Sequence, residues 1–184
     1  YSGLDITNLG YKKETYNSYF ISKDQKFLDL STNHKRNIQK GINQKYLIEE
    51  SKDAEASFAI LTSTFERQSV KSNLNFDVFN KLQIQAKQYH CAKTIDCTDT
   101  NNNLLASVFI VSDAQTAYYL LGGYSSALKN SGAMTFLLHD VIQTSINQQK
   151  DFNFCGSSKK TIAHFFEGFG ATTTDIAIWK KEII

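Results

Sequence analysis

The chain has 184 residues, 41% hydrophobic and 21% charged, with a formal net charge of +2. That length holds one domain with a full core, and the composition is that of an ordinary globular protein rather than a disordered or fibrous one. No run approaches the roughly 18 apolar residues of a membrane helix, and so small a charge does not by itself point to nucleic acid. A soluble, cytoplasmic protein without membrane insertion is therefore expected. No charged-then-apolar leader is present, and the chain opens on Tyr1 rather than Met, as a piece cut from a longer protein would.

Residues 1–15 read as irregular. Thr15 to Ser22 suits a strand, and Lys26 to Leu30 continues it after a turn at Lys23-Asp24. Ser31 or Thr32 can cap a helix to Lys40, with Gly41 where a glycine stops one. Lys45 to Glu50 is strand-like. Asp53 then caps a helix with Phe58, Leu61, Thr62 and Phe65 on one face. A second helix is predicted from Asn75 to Tyr89, its stripe formed by Phe79, Leu82, Ala86 and Tyr89.

Three strands follow, Cys91 to Cys97, Leu104 to Val111 and Thr116 to Tyr124. They are joined by turns at Asp99–Asn103 and Ser112–Gln115, which is an antiparallel meander. Ser131 to Gln149 carries Met134, Leu137, Leu138, Val141, Ile142 and Ser145 at helical steps. Asp151 to Phe154 is a short strand, Lys159 to Glu167 a short helix ended by Gly168, and Thr173 to Lys180 a last strand. Hairpins followed by a crossover predict an α/β (α+β) fold, a mixed, mostly antiparallel sheet with helices on both faces.

Several residues are candidates for chemistry. Cys91, Cys97 and Cys155 fit no zinc or CxxC spacing and read as packing residues of a reducing compartment, so no metal is expected. Arg36 and Arg67 are the only arginines; Arg36, in the acid-free stretch with Lys35, Lys40 and Lys45, is a candidate fork for an anionic substrate or an RNA end. Ser131-Gly132-Ala133-Met134 opens the long helix with small side chains, where backbone N–H groups and the helix dipole suit a phosphate. The Gly156-Ser157 loop is the second half of that cradle. Backbone N–H groups near Leu121–Tyr124 can polarise a carbonyl, and Tyr124 is a candidate proton donor. His139, Asp140 and His164 are the visible bases.

The order of elements, with three local motifs, resembles the GNAT superfamily of N-acyltransferases, and within it the FemAB-like proteins. Leu28 to Gly41, with Ser31-Thr32 before Arg36-Asn37-Ile38, is similar to the basic helix opening their second GNAT-like domain. Asp151-Phe152-Asn153-Phe154-Cys155-Gly156-Ser157 resembles their Asp-Phe-x-Gly-Ser strand end, and Phe165-Phe166-Glu167-Gly168-Phe169-Gly170 their Phe-Lys-x-x-Phe-Gly element. The resemblance spans about Lys26 to Lys180.

It implies a GNAT-like acyltransferase domain over 31–184, with 1–30 a strand and connector at the end of a preceding domain, and a companion GNAT-like half. It implies transfer of an acyl group from acyl-CoA (acetyl-CoA), or of an aminoacyl group from tRNA, to a small-molecule or peptidoglycan-precursor-like amine. Two positions depart from the pattern: Asn153 stands for an acid and Phe166 for a lysine. Lys159 and Lys160 are the nearby candidates to supply that charge, Lys159 being the one assigned a catalytic role. The alternative reading is a catalytically inactive ligand-binding module on the same fold.

Overall fold

The computed structural model describes residues 5–181 apart from 26, 68–72, 129 and 158. Seven strands form one sheet: β1 (Lys12–Ile21), β2 (Leu47–Glu50), β3 (Ala92–Thr98), β4 (Leu104–Ser112), β5 (Thr116–Tyr124), β6 (Asp151–Asn153) and β7 (Thr172–Lys180). Their spatial order is β2-β3-β4-β5-β6-β1-β7. Every neighbouring pair is antiparallel except β5 and β6, which are parallel.

The helices are α1 (Thr32–Asn43), α2 (Ala54–Arg67), α3 (Phe76–Gln88), α4 (Ala133–Asn147) and α5 (Lys160–Glu167). They cover both faces. On one side α4 lies over β3 to β6, α1 packs on α4, and α5 meets β1. This layer encloses the larger core, with Leu137, Leu138, Ile142, Phe152, Phe154 and Phe169 fully buried. On the other side α2 and α3 cover β3 to β5 around Leu61, Phe79, Ala92 and Phe109. The mixed, mostly antiparallel sheet of the sequence reading is thus the fold.

Four local expectations are corrected. The first strand begins at Lys12, because Lys12 to Asn17 pair with β7 in a ribbon exposed on both faces, leaving no apolar alternation to read. Residues 27–30 form no strand; Leu28 and Leu30 instead turn onto the main core. Helix α1 runs through Gly41, which is buried where the Phe136 ring of α4 lies against it. The stop comes at Lys45, with φ +56: Lys45 N–H bonds to Ile42 O and Tyr46 N–H to Gly41 O, the two bonds of a Schellman ending. In α3 only Phe79 and Ala86 of the expected stripe are buried, since Gln83 shares their face and leaves Leu82 and Tyr89 in solvent.

The expected cap holds at Asp53, whose Oδ1 accepts from Glu55 and Ala56 N–H. Asn75, read from the sequence only as the start of its helix, caps it as well, its Oδ1 accepting from Val78 N–H. Ser31 caps α1 by accepting from His34 N–H at 3.3 Å.

Candidate functional site

Strands β5 and β6 pair only at Thr116–Asp151, Ala117–Phe152 and Tyr118–Asn153. Beyond Tyr118, β5 runs on to Tyr124 while the chain leaves β6 at Phe154, and the two diverge into a wedge. A bulge sits at its apex: Ile110 faces Tyr119 and Phe109 faces Leu121, so Leu120 is the extra residue. A cavity of about 1060 Å³ opens there, beyond the C-terminal ends of two parallel strands, the usual ligand position in an open sheet.

The cavity is lined by Asn33, Arg36 and Asn37 of α1, the last turns of α2, the end of β5, the start of α4, residues 154–157 and the α5 rings. Both arginines of the chain reach it, and among the described residues neither Asp nor Glu lines it. Arg67 is tightly placed: Nη1 donates to Ser63 Oγ at 2.8 Å and to Tyr124 O at 3.0 Å, and Nη2 to Thr64 Oγ1 at 2.8 Å. Its guanidinium also stacks 4.1 Å from the Tyr124 ring centroid. Arg36 Nη2 donates to Asn33 Oδ1 at 2.8 Å. Two exposed guanidiniums facing one space, with no carboxylate of the described residues lining it, favour an anionic ligand.

At the start of α4, Gly132 has φ +77, and a Cβ there would lie 3.1 Å from Asn37 Cβ; the glycine answers to a left-handed turn and to the approach of α1. Ser131 Oγ accepts from Ala133 N–H at 3.2 Å, which leaves Met134 and Thr135 N–H as first-turn donors at the cavity. The carbonyls of the preceding loop are held on the α1 side, where Lys40 Nζ donates to Asn130 O at 2.7 Å and Tyr46 OH to Ser131 O at 3.3 Å.

Across the wedge, Cys155 (φ +62) and Gly156 (φ +88) make a left-handed turn. A Cβ at Gly156 would meet Asn17 O at 2.4 Å. Asn153 builds this turn: its Oδ1 accepts from Cys155 N–H at 2.7 Å and from Ser18 Oγ at 2.9 Å. Phe166, at the other departing position, is 3% exposed and stacks on Phe154 with centroids 4.3 Å apart.

The structure therefore gathers Tyr124, Arg36, Ser131, Gly132, Ala133, Met134, Gly156 and Ser157 around one space. Lys159 is not part of the lining. It sits at the N-cap position of α5, exposed, with its N–H donating to Ser157 Oγ at 3.1 Å. His139, Asp140 and His164 also lie outside the lining. His164 is exposed and 3.6 Å from Glu167; His139 is half-buried, and burial lowers its pKa. Of the three cysteines only Cys97 is fully buried, while Cys155 is exposed at the cavity wall, its thiol pKa raised by desolvation. Sequence reasoning singled out Arg67, like Arg36, as a fork for an anion but did not place it in the site, and it missed Tyr119. Arg67 had one signal, the rarity of arginine in this chain.

No family model matches the chain, and none of the curated proteins does. Solved structures do. FemX matches with a TM-score of 0.72 at 10% identity, over 93% of this chain and 66% of FemX. L-PGS from Bacillus licheniformis matches with a TM-score of 0.67 at 12% identity, over 95% of this chain and 63% of L-PGS. A possible acetyltransferase from Clostridium difficile 630 matches with a TM-score of 0.60 at 12% identity, over 76% of this chain and 98% of that one. The chain thus spans less than two thirds of the length of FemX and L-PGS. At these identities the likeness is one of fold, and the fold of this chain is the FemAB-like, GNAT-type fold.

Proposed function

We propose that the chain is an N-acyltransferase domain that moves an acyl or aminoacyl group to an amine acceptor at the β5–β6 wedge. The observation that carries this reading is the convergence of both arginines, the α4 first turn and the open edge of β5 on one acid-free cavity. An acyl-CoA such as acetyl-CoA suits it as donor: the cavity has a ligand-sized volume of about 1060 Å³, and its walls offer cations and helix N–H groups to phosphates. When bound, that donor supplies an acyl group activated as a thioester. Met134 and Thr135 N–H with Arg36 would hold phosphate oxygens. The β5 edge past Tyr118, unpaired with β6, would align the acyl chain, and Arg67 would hold an anionic group of the acceptor.

Among the described residues no carboxylate or histidine lines the space, and in this reading the acceptor amine enters already neutral or loses its proton to water. The acceptor class is an amine-bearing small molecule or a peptidoglycan-precursor-like molecule, handled in the cytoplasm. Aminoacyl-tRNA is the competing donor, and a companion GNAT-like half would account for the remaining length of FemX. Among the described residues no helix is long and apolar enough to cross a membrane.

Calorimetry with acetyl-CoA tests the reading. Binding is expected, and Arg36→Gln and Arg67→Gln each weaken binding of donor or acceptor about tenfold or more, as loss of a charge-assisted bond does. Absence of binding to acetyl-CoA, with charged tRNA bound in a strongly salt-dependent manner, moves the donor to tRNA. Donor binding without transfer to any amine favours the ligand-binding module.

A further inference from the structure

Tyr119 and Gly122 are three residues apart yet share a face of the sheet. The bulge at Leu120 makes this so. Tyr119 pairs with Ile110 and Gly122 with Val108, both in the core under α4, whereas Leu121 pairs with Phe109 in the opposite core. The Tyr119 ring therefore runs along the strand over Gly122, where a Cβ would lie 1.9 Å from its hydroxyl oxygen. Phe154 and Phe166 hold the ring edge-on, with centroids 6.2 and 6.0 Å away. Tyr119 lines the cavity, and its hydroxyl has no hydrogen-bond partner among the described residues. A donor on a ring held by its neighbours, without a protein partner among the described residues and lining a ligand-sized space, is placed to meet an acceptor on the ligand.

We propose that the Tyr119 hydroxyl is the hydrogen-bond donor that stabilises the negative charge developing on the acyl carbonyl oxygen during transfer. This role rests on the acyltransferase reading and deepens it. Burial raises the phenol's pKa above its ordinary value, so the group stays protonated at neutral pH and acts as a donor, not a base.

In the step, the amine nitrogen bonds to the acyl carbon and the carbonyl π pair moves onto oxygen, where the Tyr119 O–H meets it. The pair then re-forms the carbonyl as the bond to the leaving sulfur or ester oxygen breaks. The leaving atom takes the proton lost by nitrogen, directly or through water, and Tyr119 keeps its own. Gly122 is the specificity-free partner in this device: its missing side chain is the space that the phenol occupies.

Tyr119→Phe tests the role, since it keeps the ring and removes only the hydroxyl. Transfer is measured with acetyl-CoA and with bulk aminoacyl-tRNA as donors against a mixed panel of amines. The expected result is a fall in kcat of about 100-fold, as for loss of one oxyanion donor, with donor Kd and Tm unchanged. Gly122→Ala, which places a methyl where the hydroxyl lies, lowers kcat although the hydroxyl is still present. An unchanged kcat in Tyr119→Phe beside an active wild type overturns the role and leaves the acyltransferase reading in place. A loss that appears in donor Kd or Tm instead of kcat overturns it as well. Wild type that transfers from neither donor removes the acyltransferase reading, and this role with it.

Discussion

Among single residues, His34 combines burial with incomplete pairing. It is 3% exposed, its Nδ1 lies 2.9 Å from Ser31 Oγ, and its Nε2 is buried without a hydrogen-bond partner. Phe165 and Phe169 flank the ring at 5.1 and 4.3 Å. Burial lowers its pKa from 6.5; the nearby Phe165 backbone opposes this in part, and His164 adds a smaller push downward. The unfolded chain thus binds this proton more readily than the folded one. The resulting stability is complete above pH 6.5 and is lost as pH falls below 6.5 towards the folded value. A His34→Leu variant is expected to show a shallower decline of Tm below that pH than the parent, read in a series of melting curves; an equally steep decline would show that other groups govern it. From the sequence His34 was only one letter of a basic-helix motif. Its burial depends on Gly168 and Phe169, residues more than a hundred positions away, and no local pattern carries that. Asn153 and Phe166 teach the same point in reverse. Their side chains looked like lost charges, yet the turn at Cys155 and the stack on Phe154 give each a structural task.

At the scale of elements, periodicity and caps were legible because they are local. Strands β3 to β5 and the caps Asp53 and Ser31 follow from alternation and from short polar side chains. What was not legible came from partners distant in sequence. Gly41 looked like a stop because a glycine after a helical stripe usually is one; here it makes room for Phe136, and a lysine takes the left-handed position. A non-glycine there costs about 1 kcal/mol. Lys45→Gly is therefore expected to stabilise the protein by roughly 0.5–1 kcal/mol, measured as a shift in urea midpoint with an unchanged slope; a neutral or destabilising result would show that the Lys45 side chain compensates. The bulge at Leu120 was likewise unreadable, because it is a property of the register between β4 and β5 and not of either strand. With it went Tyr119, whose position over Gly122 exists only once that register is set.

For the whole molecule, the defining feature is the place of β1. It is first in sequence but lies between β6 and β7, joined to Phe152 and Asn153 on one edge and to all of Thr172–Lys180 on the other. The sequence implied strands in this order of types, but adjacency in a sheet is decided by burial across the whole chain. Tyr19 and Ile21, at 4% and 1% exposure, are what seat β1 in the larger core. Among the described residues, strand β7 has no strand neighbour other than β1. Removing residues 1–21 is therefore expected to abolish cooperative unfolding, seen as loss of a sigmoidal melt and of near-ultraviolet dichroism; a truncated chain that still melts as one unit would refute this. The same strand braces the site, since Asn17 O packs on Gly156 and Ser18 Oγ on Asn153.

That placement also governs how the protein is born. The segment that becomes β1 leaves the ribosome well before its sheet neighbours β6 and β7, which follow it by roughly 8–30 s at ordinary elongation rates. Until then Tyr16, Tyr19, Phe20 and Ile21 lack the strands they pair beside. The nascent chain carries an unsheltered sticky strand across that interval, and the wedge closes only once β6 and β7 have emerged.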